Sequence, residues 1–139
     1  MKKIHMVDVV SMYNSHASII DQTIKKVIHS GCYIQGVEVN DFEKKLSHFL
    51  KSKFTISCGN GTDALYIALM ALDLERGDEV LVPSFTFVST VEAVCLLGLV
   101  PVFIDVDPNT FLLNHNLISD SISVKTKAII PVHLFGQCC

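Results

Sequence analysis

From residue 54 onward, short runs rich in β-branched residues alternate with segments whose apolar residues recur at helical spacing. Strands separated by helices form right-handed βαβ units, and such units build a parallel sheet. The pattern therefore predicts an α/β fold in which helices cover both faces of a mainly parallel sheet, in three layers. Strands are predicted over 54–58, 79–82, 102–105 and 127–132, and helices over 61–72, 86–97 and 116–121.

The first 53 residues have a different pattern, because two amphipathic helices precede the first predicted strand. The first helix is predicted over 15–30, where Gly31 ends it, and the second over 38–50. The loop between them, 31–36, begins and ends with glycine.

The chain shows no linker, repeat or low-complexity tract. We therefore predict a helical segment, 1–53, followed by one partial α/β domain, 54–139. Within the first segment, the short apolar stretch 4–10 is predicted as a strand or as an arm that lies on another subunit.

The turn between the first predicted strand and the next helix has the composition of an anion site. It reads Gly59-Asn60-Gly61-Thr62-Asp63. The start of a helix presents free backbone N–H groups and the positive end of the helix dipole. Glycines let an anion approach the backbone closely, and the Thr62 hydroxyl adds a donor. An ordinary turn with a good N-cap has the same composition, so the spacing alone leaves both interpretations open.

Residues with chemical function follow the predicted strands, at the edge of the sheet where ligands bind. The turn lacks the lysine of a mononucleotide P-loop and has two of the three glycines of the dinucleotide fingerprint. The segment 84–87, Ser-Phe-Thr-Phe, follows the second strand. Its two aromatic rings suit the binding of a flat aromatic ligand, although phenylalanines at this position also fit a core. The strand exits are 59–63, 83–87, 105–107 and 133–137.

Charge and composition argue against several kinds of partner. The net charge of −3 without a charged block gives no indication of nucleic acid or of an anionic membrane as a partner. No apolar run has the length of a membrane span. Five cysteines without paired spacing indicate reduced thiols in a cytoplasmic protein. We predict no metal site, although His133, Cys138 and Cys139 are close in sequence.

Six sequence blocks together resemble, in order and over essentially the whole chain, the DegT/StrS-type sugar aminotransferases. The segment 31–43 is similar to the family's glycine-bracketed loop and the Val-x-x-Phe-Glu helix that follows it. The other five blocks are 59–65, Gly-Asn-Gly-Thr-Asp-Ala-Leu; 77–80, Gly-Asp-Glu-Val; 83–88, Pro-Ser-Phe-Thr-Phe-Val; 101–107, Pro-Val-Phe-Ile-Asp-Val-Asp; and 126–137, Thr-Lys-Ala-Ile-Ile-Pro-Val-His-Leu-Phe-Gly-Gln.

The resemblance implies the amino-terminal part of the large domain of a fold-type I transferase that uses pyridoxal 5'-phosphate and works as a homodimer. It implies that an amino group passes from glutamate to a nucleotide-linked keto sugar, for surface polysaccharide such as O-antigen. The blocks look most like enzymes that aminate a UDP-linked 3-keto N-acetylated sugar acid, and members that aminate 4-keto-6-deoxy sugars share most of them.

The resemblance also implies roles for individual residues. Thr62 and the N–H groups of 61–63, which are Gly61, Thr62 and Asp63, would hold the cofactor phosphate, and Phe87 would stack on the pyridine ring. The loop 31–36 would lie near the active site, where Tyr33 would help to shape the substrate cavity. Asp105 and His133 stand at strand exits nearby.

The lysine that transamination requires has no counterpart in this chain. No lysine lies between Lys53 and Lys125, and Lys125 and Lys127 flank the start of the last predicted strand, at the wrong edge of the sheet. The resemblance implies that the lysine and the carboxylate facing the pyridine nitrogen lie downstream. We therefore predict no catalytic residue here and no transamination by these 139 residues alone. A sugar dehydratase of the same family, in which that lysine is replaced, and a non-catalytic truncated binding module are the alternatives.

Overall fold

The computed structural model describes residues 7–139, which form two compact units that meet in the sequence between Ser57 and Cys58. Residues 4–6 of the apolar stretch 4–10 lie outside the described residues, and its last two residues belong to the first helix. None of the described helices has the length and apolar content that crossing a membrane requires.

The first unit contains two helices, α1 (Val9–Ser30) and α2 (Val37–Leu50). The helix α1 begins six residues earlier than predicted, because the Asp8 carboxylate accepts the N–H of Ser11 at 3.0 Å and caps it. Gly31 ends α1 in the left-handed conformation, at φ 67°, as predicted. A Cβ at Gly36 would lie 2.9 Å from the carbonyl oxygen of Cys32, which explains the second glycine of the loop.

The predicted strand 54–58 is wrong, since no described strand pairs with this segment. The segment nevertheless has two different sides. The side chains of Phe54 and Ile56 are 73% and 80% exposed, whereas Thr55 and Ser57 form hydrogen bonds with α2. The segment is thus extended with two different sides, but the ladder of backbone hydrogen bonds that defines a strand is missing among the described residues.

The second unit has the predicted alternation of helices and strands, with bounds within three residues of those expected. Its helices are α3 (Gly61–Met70), α4 (Ser89–Leu96) and α5 (Ile118–Ser121), its strands are β1 (Glu79–Pro83), β2 (Val100–Ile104) and β3 (Thr126–Ile129), and short 3-10 helices lie at His115–Leu117 and Leu134–Gly136.

The three strands form a parallel sheet in the order β2-β1-β3, which confirms the predicted parallel arrangement. On one face, Val80 and Val82 pack against residues of α3 and α4, among them Leu69 and Val94. On the other face, Leu81 lines a cavity of about 250 Å³ together with residues of α5 and β3. The unit thus has helices on both faces of its sheet, in the predicted three layers.

Candidate functional site

The direction of α3 places its first turn at the edge of the sheet where the strands end. Its last residues line a cavity of about 190 Å³ with Leu97 and Leu99, at the end of α4 and directly before β2. That cavity lies at the edge where β2 begins. The start of α3 therefore lies at the opposite edge, called here the carboxyl edge, where parallel α/β sheets bind ligands.

Asn60 and Asp63 close the first turn of α3 with a reciprocal pair of hydrogen bonds. The N–H of Asp63 donates to Oδ1 of Asn60 at 3.0 Å, and Nδ2 of Asn60 donates to Oδ2 of Asp63 at 2.9 Å. The Asp63 N–H is therefore engaged within the turn in this structure, and its role as a phosphate donor stays a prediction. The Asp63 carboxylate carries the same sign of charge as a phosphate.

Two backbone donors remain at this helix start. The N–H groups of Gly61 and Thr62, and the Thr62 hydroxyl, have no hydrogen-bond acceptor among the described residues. A Cβ built at Gly61 meets no atom within 4 Å, so the space beside the Cα of this residue is open. Two N–H groups, a hydroxyl and the positive end of a ten-residue helix fit the phosphate of the cofactor that the family implies.

Hydrogen bonds join the exits of β1 and β2 at the same edge. The N–H of Ser84 donates to the carbonyl of Ile104 at 2.8 Å, and its hydroxyl donates to Oδ1 of Asp105 at 3.0 Å. The same carboxylate oxygen accepts the N–H of Val106 at 2.8 Å. Asp105 thus holds the ends of two neighbouring strands together, and its Oδ2 accepts no hydrogen bond from the described residues.

Phe87 lies between β1 and α4, and its side chain is 72% exposed. Its carbonyl oxygen accepts the N–H of Thr90 at 3.1 Å, at the start of α4. The ring is therefore accessible at the carboxyl edge, as stacking on a cofactor ring requires. The structure thus brings Phe87 and Thr62 to the same edge of the sheet.

Two further aromatic residues at this edge, Phe111 and Phe135, were not singled out from the sequence. The Phe85 ring packs against Phe111 with centroids 5.7 Å apart, and Phe111 meets Phe135 edge to face at 6.4 Å. Phe111 and Phe135 have φ values of 59° and 57°, a conformation that bulky residues rarely adopt. The only signal in the sequence was their position, since Phe135 lies within the strand exit 133–137 and Phe111 follows the exit 105–107. Their left-handed backbone had no signal, because that conformation is normally expected at Gly or Asn.

His133 and Tyr33 are engaged in local contacts. His133 Nδ1 accepts the N–H of Cys139 at 3.1 Å, at the exit of β3. In the first unit, the Tyr33 hydroxyl donates to the carbonyl of Ile28 at 3.1 Å, at the end of α1. Among residues 7–139, no group of three or more His, Cys, Asp or Glu side chains is placed to hold a metal ion.

Lys125 and Lys127 flank the first residue of β3, at the edge where the strands begin. Lys127 donates through Nζ to the carbonyl of Val124 at 3.4 Å. They are thus separated from the start of α3 by the length of the sheet, as the sequence indicated.

Known proteins share this chain's sequence over most of its length. A model of the DegT/DnrJ/EryC1/StrS aminotransferase family matches residues 14–139. The UDP-2-acetamido-2-deoxy-3-oxo-D-glucuronate aminotransferase of Pseudomonas aeruginosa is 48% identical over 136 residues, which are 96% of this chain and 38% of that protein. The chain therefore spans well under half the length of this relative.

Solved structures share its fold over part of their length. S. venezuelae DesV superimposes with a TM-score of 0.95 and 30% identity over 100% of this chain and 38% of its own. NtdA from Bacillus subtilis, solved with bound cofactor PMP, gives a TM-score of 0.84 and 39% identity over 88% of this chain and 28% of its own. The α/β fold is thus that of part of the fold-type I aminotransferases. With the family model covering residues 14–139, the chain belongs to the DegT/DnrJ/EryC1/StrS aminotransferase family.

Proposed function

We propose that this chain supplies the cofactor-phosphate site of a pyridoxal-phosphate enzyme that transfers an amino group from glutamate to a nucleotide-linked keto sugar. The observation that carries the proposal is the start of α3, where the N–H groups of Gly61 and Thr62 and the Thr62 hydroxyl are free at the carboxyl edge. The bound cofactor supplies an electron sink for the carbon that carries the amino group. The chain's own residues bind the phosphate and orient the ring, with Phe87 stacking on it.

The finer assignments are part of the same proposal. The substrate is a UDP-linked 3-keto N-acetylated sugar acid, which is supported by the 48% identity to the Pseudomonas aeruginosa protein named for such a sugar. The enzyme works in the cytoplasm as a homodimer, in the synthesis of surface polysaccharide. Tyr33 contributes to the substrate cavity.

Phosphate binding is tested by NMR on the ¹⁵N-labelled chain with pyridoxamine phosphate, which has no aldehyde to react with lysines. We expect the amide signals of Gly61 and Thr62 to shift with saturation, and pyridoxamine without the phosphate to leave them in place. The T62A variant should bind more weakly, because it loses the free hydroxyl. The T23A variant is the matched control, since the Thr23 hydroxyl is used inside α1, at 2.7 Å from the carbonyl of Ile19. Unchanged signals of Gly61 and Thr62 would contradict the phosphate site.

The transfer reaction is tested in a chimera in which these residues replace the matching segment of the Pseudomonas aeruginosa relative. We expect mass spectrometry to show ¹⁵N from labelled glutamate in the UDP-linked sugar. A chimera that folds and binds pyridoxamine phosphate but transfers no nitrogen would contradict the proposed reaction.

A further inference from the structure

In the first unit, the segment before the phosphate turn is attached to α2 by side-chain hydrogen bonds. Oε1 of Glu43 accepts both the N–H of Ser57, at 2.8 Å, and the Ser57 hydroxyl, at 2.7 Å. One helical turn further on, the Ser47 hydroxyl donates to the hydroxyl of Thr55 at 2.9 Å. Residues i and i+4 of a helix share a face, as do residues i and i+2 of an extended segment. The two contacts therefore form one continuous attachment.

The Glu43 contact is the stronger of the two, since hydrogen bonds to a carboxylate exceed those between neutral groups. The pKa of Glu43 is held below its ordinary value because the Ser57 N–H, and then its hydroxyl, donate to it. The carboxylate is thus ionised at neutral pH. Among the described residues, no lysine, arginine or histidine forms a salt bridge with it. The hydrogen-bond donors to this carboxylate, among the described residues, are the N–H and the hydroxyl of Ser57.

The residue after Ser57 is Cys58, where the turn to the anion site begins. No backbone ladder fixes the preceding segment 54–57. The turn itself contains Gly59 and Gly61, which have the widest conformational freedom of any residue. Within the second unit, the Asn60–Asp63 pair holds the end of this turn that enters α3. Within the first unit, the Glu43 carboxylate holds Ser57, the residue that precedes the turn.

We propose that Glu43 is a positioning residue, which fixes Ser57 and thereby pre-orders the turn that binds the cofactor phosphate. The proposal rests on the proposed function for the identity of the ligand. A preformed turn binds more tightly because less conformational freedom is lost on binding.

The test combines amide hydrogen exchange at Ser57 with the affinity for pyridoxamine phosphate, both measured by NMR on the full chain. In E43A we expect faster exchange of the Ser57 amide and weaker binding, with the free energy of unfolding changed too little to explain the loss. In E43Q, which keeps an oxygen acceptor, we expect both to recover most of their wild-type values. The matched control is E38Q, on the same helix, whose carboxylate pairs with Lys26 at 2.9 Å and should leave both readouts unchanged.

Wild-type exchange and affinity in E43A would overturn the proposal, as would an E38Q variant that weakens binding as much as E43A. A folded E43Q variant that behaves like E43A would also overturn it, because acceptance of the two hydrogen bonds is the proposed role. If E43A does not fold, S57A provides the test, since it removes one of the two bonds and should weaken binding. A wild-type chain with a protected Ser57 amide and no affinity for pyridoxamine phosphate would contradict the phosphate site and not the attachment of Ser57.

Discussion

Asn60 and Asp63 hold each other across the first turn of α3, each side chain bonding to the other residue. The side-chain oxygen Oδ1 of Asn60 accepts the Asp63 N–H at 3.0 Å, and the side-chain Nδ2 of Asn60 donates to the Asp63 carboxylate at 2.9 Å. This pairing is a variant of the capping box, in which the N-cap and N3 residues satisfy each other. It engages the Asp63 N–H within the turn and fixes the start of the helix, where the N–H groups of Gly61 and Thr62 lie.

Replacement of Asn60 by alanine should lower the free energy of unfolding by about 1 kcal/mol, the usual effect of losing an N-cap side chain. The physical reason is that the Asp63 N–H loses its acceptor at the start of α3. Urea denaturation followed by circular dichroism measures the change. The control is N116A, because the Asn116 side chain forms no hydrogen bond among the described residues. Equal losses in both variants would show that the cap contributes nothing of its own.

Gly98→Ala should destabilise the chain mainly through its backbone. Gly98 has φ 72°, a conformation that costs a residue with a Cβ about 1–2 kcal/mol. The added Cβ would also lie 2.9 Å from the guanidinium carbon of Arg76, which is the end of a flexible side chain and can move away.

Gly77→Ala separates these two effects, because Gly77 has φ 90° and open space around its missing side chain. Urea denaturation should give losses of similar size for the two variants. A much greater loss for G98A that R76A relieves would indicate that the contact with Arg76, and not the backbone, is decisive.

Leu81→Ala should cost about 2–5 kcal/mol, the range for removing a buried leucine side chain. Leu81 is 2% exposed in the central strand, and a cavity already lies beside it. The matched apolar control is I56A, since Ile56 is 80% exposed and its truncation should change the free energy of unfolding little. A loss of stability in I56A equal to that in L81A would mean that Ile56 is buried in solution.

The sequence predicted the second unit well because its strands and helices are bounded by strong local signals. Gly77 and Gly98 both adopt positive φ where the chain turns into β1 and β2. The segment 54–58 shows where such reasoning ends. Its β-branched residues are typical of a strand, but a strand also needs a paired neighbour, and pairing is a property of the tertiary structure.

The candidate site was predicted in part for the same reason. The free donors of Gly61 and Thr62 follow from their place at a helix start, which the local sequence indicates. The hydrogen bond from the Asp63 N–H to the Asn60 side chain was not predicted, because it depends on side-chain geometry. The contacts of Phe111 with Phe85 and Phe135 join residues 24 to 26 positions apart, and no spacing rule relates them.

Acid should remove a stabilising contribution that Asp107 makes at neutral pH. Its pKa is held below the ordinary value of 3.8, because the N–H groups of Asn109 and Thr110 donate to the ionised carboxylate. A lowered folded-state pKa gives a contribution that is complete above the unfolded value and disappears as the pH falls through the folded value. The difference in unfolding free energy between wild type and D107N should therefore shrink below pH 3.8.

Pyridoxal phosphate should form no specific covalent adduct with the described lysines of this chain. Lys125 and Lys127, the lysines of the second unit, flank the start of β3, at the edge opposite the N–H groups of Gly61 and Thr62. Neither lysine can therefore reach the aldehyde of a cofactor whose phosphate is bound at those N–H groups. Borohydride reduction followed by peptide mapping should show partial labelling of several exposed lysines. Excess pyridoxamine phosphate should not reduce that labelling, because the label and the phosphate site are independent. Stoichiometric labelling of one described lysine, prevented by pyridoxamine phosphate and lost in T62A, would show that this chain carries its own reactive lysine.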